Sequence, residues 1–173
     1  NTDPRFGVLY ENYGGINPQR VINIALGADR RMITGTNSDG TDAVITEATD
    51  KTAIATAKYV YIGEKHDHCA CGGNTNIGDH TTHSDLTWMP WTATDKLPDK
   101  AGCYYLIHDV TLSTGTAALQ DGVNLCLNGK SVKGAGNGYT KLSINGALTV
   151  TDCGKAGSFG DLAINEGAFT MTG

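Results

Sequence analysis

The apolar and polar positions of this chain change character twice along its length. From Arg5 to about Gly63 they form short alternating runs, "FGVLYENY", "RVINIALG", "DAVITEAT" and "AKYVYIG", separated by turn clusters of which "GTNSDGTD" (Gly35 to Asp42) is the clearest. Period-two alternation bounded by Gly, Asn, Asp and Ser predicts strands joined by turns, so residues 1–63 read as a small β-rich segment. The stretch "DKTAIATAKYV" also fits one short helix, because short apolar runs suit either element. Residues 64–100 lose periodicity. They hold a His/Cys cluster, both tryptophans and prolines at 90 and 98, and read as an irregular cap.

Residues 101–173 repeat. Aligning "YLIHDVTL", "LCLNGKSV", "LSINGALTV" and "LAINEGAFTM" gives one pattern every 17 to 20 residues. Tyr105, Leu125, Leu142 and Leu162 form an apolar column, followed two positions on by Ile107, Leu127, Ile144 and Ile164. Next comes a polar column of His108, Asn128, Asn145 and Asn165. Strand-like alternation at this period with Gly-rich corners predicts the opening coils of a parallel β-helix, in which inward side chains stack coil on coil. The amide column would form a ladder along the axis, headed by His108. The alternative is an antiparallel sheet with ordinary "NG" hairpin turns. A second strand follows each first, and the chain stops just after that strand in its fourth coil. An open end of this kind predicts either further coils or an assembly surface.

Composition agrees with an all-β fold. Gly (23 residues), Thr and Asn are abundant, which disfavours helix and raises turn density. Net charge is −5 and the cations are scattered, so nucleic acid is not an expected partner. No run is long and apolar enough to span a membrane, and the polar first residues do not resemble a signal peptide, so the chain reads as a mature fragment without membrane insertion.

The segments "HCACGG", "WTATDKLPDKAGCYYLIHDVTLS", "VNLCLNGKSVKG" and "LTVTDC" together resemble a class of large secreted or surface-anchored repeat proteins of anaerobic Gram-positive gut bacteria. In these a His/Cys-rich segment leads into a right-handed β-helix of the pectate-lyase-like type. The resemblance covers about Lys65 to Gly173 and implies an extracellular location and this architecture; most members have no established activity. Cys103 and His108 depart from the pattern, which more often carries a polar residue such as Asn at both places.

The cluster itself can be written His66-x-His68-Cys69-x-Cys71, then His80-x2-His83. A tetrahedral zinc is satisfied by two thiolates and two imidazoles. In an extended segment Cys69 and Cys71 point to one side, and Gly72 and Gly73 permit the reversal that returns His80 and His83. Those four are the expected ligands of a structural zinc, with His66 or His68 as substitutes. A solvated loop and a cysteine pairing are the competing readings, and catalysis at the metal would need an open position and an acid such as Asp67, Asp79 or Asp85. Five cysteines then leave Cys103, Cys126 and Cys153. A Cys126–Cys153 disulfide between neighbouring coils is expected, against burial of all three as small apolar side chains.

Trp88, Trp91, Tyr104 and Tyr105 could stack on sugar rings or cap the first coil, the commoner use. "NSDGTD" carries oxygen ligands suited to calcium but lacks the glutamate of an EF-hand loop, so a turn is expected. All four arginines precede residue 64, and the acids Asp109, Asp121, Asp152, Asp161 and Glu166 form no paired motif. The expectation is a non-catalytic module of a secreted or cell-surface bacterial protein, presenting a rigid rod for adhesion, contact with a host surface or glycan, or self-association through its open end. The N-terminal part of a β-helical polysaccharide lyase or glycoside hydrolase is the second reading, and a subunit of an extracellular filament the third.

Overall fold

A computed structural model describes the backbone of residues 6–11 together with residues 26–27, 30–37, 42–70, 86–135, 140–153, 156–160 and 162–172. It divides into two compact units, Asn1–Lys65 and His66–Gly173. The boundary lies two residues beyond the expected one. The described residues of the irregular zone from His66 onward belong to the same unit as the repeats.

In the first unit, strands β1 (Phe6–Glu11), β2 (Arg30–Gly35), β3 (Val44–Thr46) and β4 (Tyr59–Glu64) form an antiparallel sheet in the order β1-β4-β2-β3. β2 was not foreseen, because "RRMITG" opens on two arginines. Arg30 lies 3.7 Å from Glu64 on the neighbouring strand, and the strand is buried from Arg31 to Gly35. The ambiguous "DKTAIATAKYV" divides between both elements. Lys51–Thr56 is a helix, α1, because Asp50 caps it by accepting from the Ala53 amide at 2.9 Å, and the chain turns extended at Ala57 to enter β4. Ile54 of this helix packs with Met32, Ala57 and Val60 in a small core.

Of "GTNSDGTD", expected as a turn, Gly35 to Asn37 and Asp42 are described, while residues 38–41 lie outside the described residues. The Asp42 carboxylate accepts from the backbone amides of Thr36 and Asn37, both at 2.8 Å, and from the Thr36 hydroxyl. Burial acts to raise the Asp42 carboxyl, but these hydrogen bonds outweigh it and hold the group below its ordinary value. Its oxygens are thus engaged with the loop itself.

The second unit is all-β and almost entirely parallel. A short antiparallel pair, β5 (Asp67–His68) with β6 (Leu86–Thr87), precedes it. One parallel sheet runs β7 (Met89–Trp91), β8 (Gly102–Leu106), β11 (Val123–Cys126) and the C-terminal half of β13 (Thr140–Thr151). The N-terminal half of β13 pairs with β10 (Gly115–Leu119), and both halves pair with β15 (Leu162–Thr172). A second parallel sheet is β9 (Val110–Leu112), β12 (Ser131–Gly134) and β14 (Ser158–Gly160). Among the described residues, fourteen buried apolar side chains, twelve from these strands together with Leu97 and Leu127, form one core. Each such aliphatic side chain contributes about 1.5–3 kcal/mol on burial, and parallel sheets require burial of this kind.

The stacking register differs from the one read off the repeats. Leu125 pairs with Tyr104 on one side and Val150 on the other, while Leu142 pairs with Ala117 and Ile164. Thus "LCLNG" and "LSING" lie on different strands of the sheet rather than in one column. Among the described residues the amide column forms no ladder. Asn128 sits in a turn with φ +52° and donates to the Leu106 carbonyl at 3.0 Å, and Asn145 is exposed. His108 is partly exposed, and the Asn165 side chain lies outside the described residues. The apolar alternation was periodic enough to predict stacked strands, but turn lengths set which strand lies over which.

Carboxylates in the turns tie adjacent layers together. Asp109 accepts from the Ser131 amide at 2.8 Å and Asp121 from the Ala147 amide at 2.9 Å. Asp152 accepts from Gly129 at 2.7 Å and Gly157 at 2.6 Å. Glycine is required where β13 and β15 bend. At Gly146 (φ +114°) an added Cβ would strike Asp121, and at Gly167 (φ +91°) it would strike the Ile144 carbonyl.

Candidate metal centre

His66 and His68 flank Asp67 at the start of the second unit. Alternation along extended backbone sends two residues of spacing two to the same side, so both imidazoles leave the strand together. Cys126 ends β11, and Cys153 lies two residues beyond the end of β13, the strand beside β11. The stacking of these strands brings both sulfurs to the two imidazoles. All four donor atoms lie within 4.8 Å of one another. His66 Nε2 is 3.3 Å from Cys126 Sγ, 3.5 Å from Cys153 Sγ and 3.1 Å from His68 Nε2, and the two sulfurs are 3.4 Å apart.

The surroundings hold this arrangement. His68 Nδ1 lies 2.7 Å from the Cys69 carbonyl oxygen. A carbonyl only accepts, so Nδ1 carries the proton and Nε2 presents its lone pair to the cluster. Trp88 stacks on His68 at 4.4 Å, and its Nε1 donates to the His68 carbonyl at 2.8 Å. Tyr105 stacks on His66 at 4.2 Å with the rings 14° from parallel. Partners of this kind fix the orientation of imidazole ligands in metal sites.

Charge is distributed unequally between the sulfurs. The Cys126 thiol donates toward Cys153, which together with burial pushes Cys126 far up. The same hydrogen bond pulls Cys153 down to about 3; burial opposes this, while His66 and His68 add to it. The shared hydrogen bond and the two imidazoles thus favour negative charge on the more exposed cysteine. Two imidazoles and two cysteine sulfurs in this geometry could bind a metal ion.

The substitutes His66 and His68 enter the cluster. Cys69 does not, because it is disulfide-bonded and offers no thiolate. Cys71, His80 and His83 lie outside the described residues. Cys126 and Cys153, expected as a disulfide, are adjacent but free thiols. Cys103 is free and half-buried, its thiol raised by burial against a lowering contact from Asn124. The aromatic residues do not form a sugar platform. Trp88 and Tyr105 are 0% exposed and Trp91 4%, while Tyr104 packs edge-on against Trp91. Two of them instead flank the imidazoles.

The missed ligands had a legible half. The alternation argument applied to Cys69 and Cys71 holds equally for His66 and His68. Nothing in the local pattern of "LCLNG" or "TVTDC" indicates that their cysteines meet those imidazoles. Comparison with protein-family models, with curated proteins and with solved structures finds no match. Among the described residues no helix is long and apolar enough to cross a membrane.

Proposed function

We propose that this chain is a non-catalytic module of a secreted or cell-surface bacterial protein, in which a structural zinc clamps the entry segment onto a right-handed parallel β-helix. The observation that carries the reading is the four-donor cluster of His66, His68, Cys126 and Cys153. A tetrahedral zinc with bonds of about 2.0 Å to nitrogen and 2.3 Å to sulfur sets edges of about 3.3 Å (N–N), 3.5 Å (N–S) and 3.8 Å (S–S). Four of the six donor separations, 3.1, 3.3, 3.5 and 3.4 Å, lie close to those edges, and all four atoms fall within 4.8 Å of one another.

Four protein ligands leave no position for water, which favours a structural over a catalytic ion. The ligands come from three separate segments, so the ion would act as a cross-link where the chain enters the stacked strands. A structural zinc contributes on the order of 10 kcal/mol, a large term beside ordinary domain stability. The surface location and the task of presenting a rigid rod for adhesion, host or glycan contact or self-assembly rest on the sequence resemblance. The start of a carbohydrate-active enzyme is the weaker reading, because Asp109, Asp121 and Asp152 are engaged by backbone amides and Glu166 by the Ser143 hydroxyl.

Elemental analysis of purified protein, combined with thermal unfolding before and after a strong chelator, tests the reading. One zinc per chain and a large fall in the transition on chelation are expected. Protein without stoichiometric metal and with an unchanged transition would refute it.

A further inference from the structure

Cys126 and Cys153 are free, 3.4 Å apart, and unequal in access: Cys126 is buried and Cys153 exposed. They hold together different elements from those held by the histidines. The two sulfurs join the neighbouring strands β11 and β13, whereas His66 and His68 join the entry segment to those strands. A disulfide requires sulfurs about 2.0 Å apart, so the pair must close by about 1.4 Å.

We infer that the cluster is a redox-gated clamp, in which a peroxide-class two-electron oxidant converts the Cys126–Cys153 pair into a disulfide and releases the metal and the two histidines. This rests on the metal reading above. The chemistry balances. The exposed Cys153 sulfur attacks one peroxide oxygen, the O–O bond breaks, and sulfenic acid and hydroxide form. The Cys126 sulfur then attacks the sulfenic sulfur and expels the second oxygen as hydroxide, giving the disulfide. Two thiolates lose two electrons, hydrogen peroxide gains them, and two solvent protons complete two waters. A disulfide sulfur is a poor zinc ligand, since the thiolate is the binding form, so the ion leaves with two imidazoles as its only remaining ligands. The oxidised form keeps a covalent tie between the stacked strands, and the entry segment loses its anchor.

The test uses the full chain with Cys103→Ser, which removes the third thiol without touching the cluster. The zinc-loaded protein is treated with hydrogen peroxide; released zinc is followed with a chromogenic chelator, and cysteines are mapped by alkylation and peptide mass spectrometry. Release of about one zinc per chain, in step with a mapped Cys126–Cys153 disulfide and reversed by a mild thiol reductant, supports the inference. Zinc retained with both thiols alkylatable overturns it. So does zinc lost with Cys153 carried to sulfinic acid and no disulfide. If the protein takes up no zinc, the metal reading has failed and this clamp fails with it, while disulfide mapping on the metal-free chain reports separately whether the thiol pair closes.

Discussion

Replacing His68 by alanine separates the metal's contribution from ordinary packing. Without metal, the substitution removes the stack on Trp88 and the bond from Nδ1 to the Cys69 carbonyl. An aromatic pair is worth about 0.5–1.5 kcal/mol and a hydrogen bond about 0.5–1.5 kcal/mol, so a loss of about 1–2 kcal/mol is expected in this partly exposed setting. The Trp88 indole keeps its acceptor, which is the backbone carbonyl of residue 68, so the local strand pair is retained. With zinc, a further loss appears. Disturbing even the partners of ligands costs about 10–100-fold in metal affinity, and removal of a ligand costs at least as much. At saturating free zinc a 100-fold weaker site lowers stability by about 2.7 kcal/mol.

For a unit of this size 1 kcal/mol moves the midpoint by about 4–8 °C. His68→Ala should therefore lie about 5–15 °C below the parent in chelator, and at least about 10 °C further below it in zinc. Thermal unfolding of both proteins in both conditions gives a double-mutant cycle with zinc as the second perturbation. Equal gaps in zinc and in chelator would show that His68 contributes packing alone, and the proposed ligand set would fall.

Zinc uptake near neutral pH should release about one proton per ion into a weak buffer, chiefly from Cys126, whose thiol is held up while that of Cys153 is pulled down. A pH-indicator titration that finds none would contradict this charge assignment. The sign follows from the shifts: Cys126 is raised and must lose its proton to bind, so zinc affinity falls as the pH drops, measurable as earlier release to a chelator in acid. Asp152→Ala orphans the amides of Gly129 and Gly157 and should lower stability by about 2–4 kcal/mol in denaturant unfolding; a loss below about 0.5 kcal/mol would show that water replaces the carboxylate freely. Gly167→Ala should cost at least about 1–3 kcal/mol, since it meets both a left-handed φ and the Ile144 carbonyl. A neutral result on the same assay would mean the bend relaxes.

Much of the architecture was readable before the structure. The alternating runs of the first 63 residues correspond to β1, β3 and β4 where those residues are described, while "RVINIALG" falls mostly outside them. The short helix was readable as an alternative, and the deciding residue is Asp50, whose side chain can cap a helix but has no use in a strand there. β2 escaped because it is paired on both sides and Arg30 is met by Glu64 across the sheet, which local pattern does not indicate. The Trp/Pro-rich zone did not resemble a core element, yet Trp91 and Leu97 complete the core of the parallel strands.

What the sequence determined by itself is the class of structure and the chemistry on offer. Apolar alternation with glycine-bearing corners commits residues 101–173 to stacked strands, and the collection of histidines and cysteines marks a chain equipped for metal or redox chemistry. Which of them meet was decided only by tertiary structure. Strand register depends on turns of unequal length: Leu125 finds its partners 21 residues before and 25 after, not at one fixed interval. That register carries Cys126 and Cys153, 27 residues apart, to sulfurs 3.4 Å from each other, and sets both beside the His66 imidazole, 60 and 87 residues earlier. Ligand proximity across such distances is a property of packing, and local spacing does not encode it.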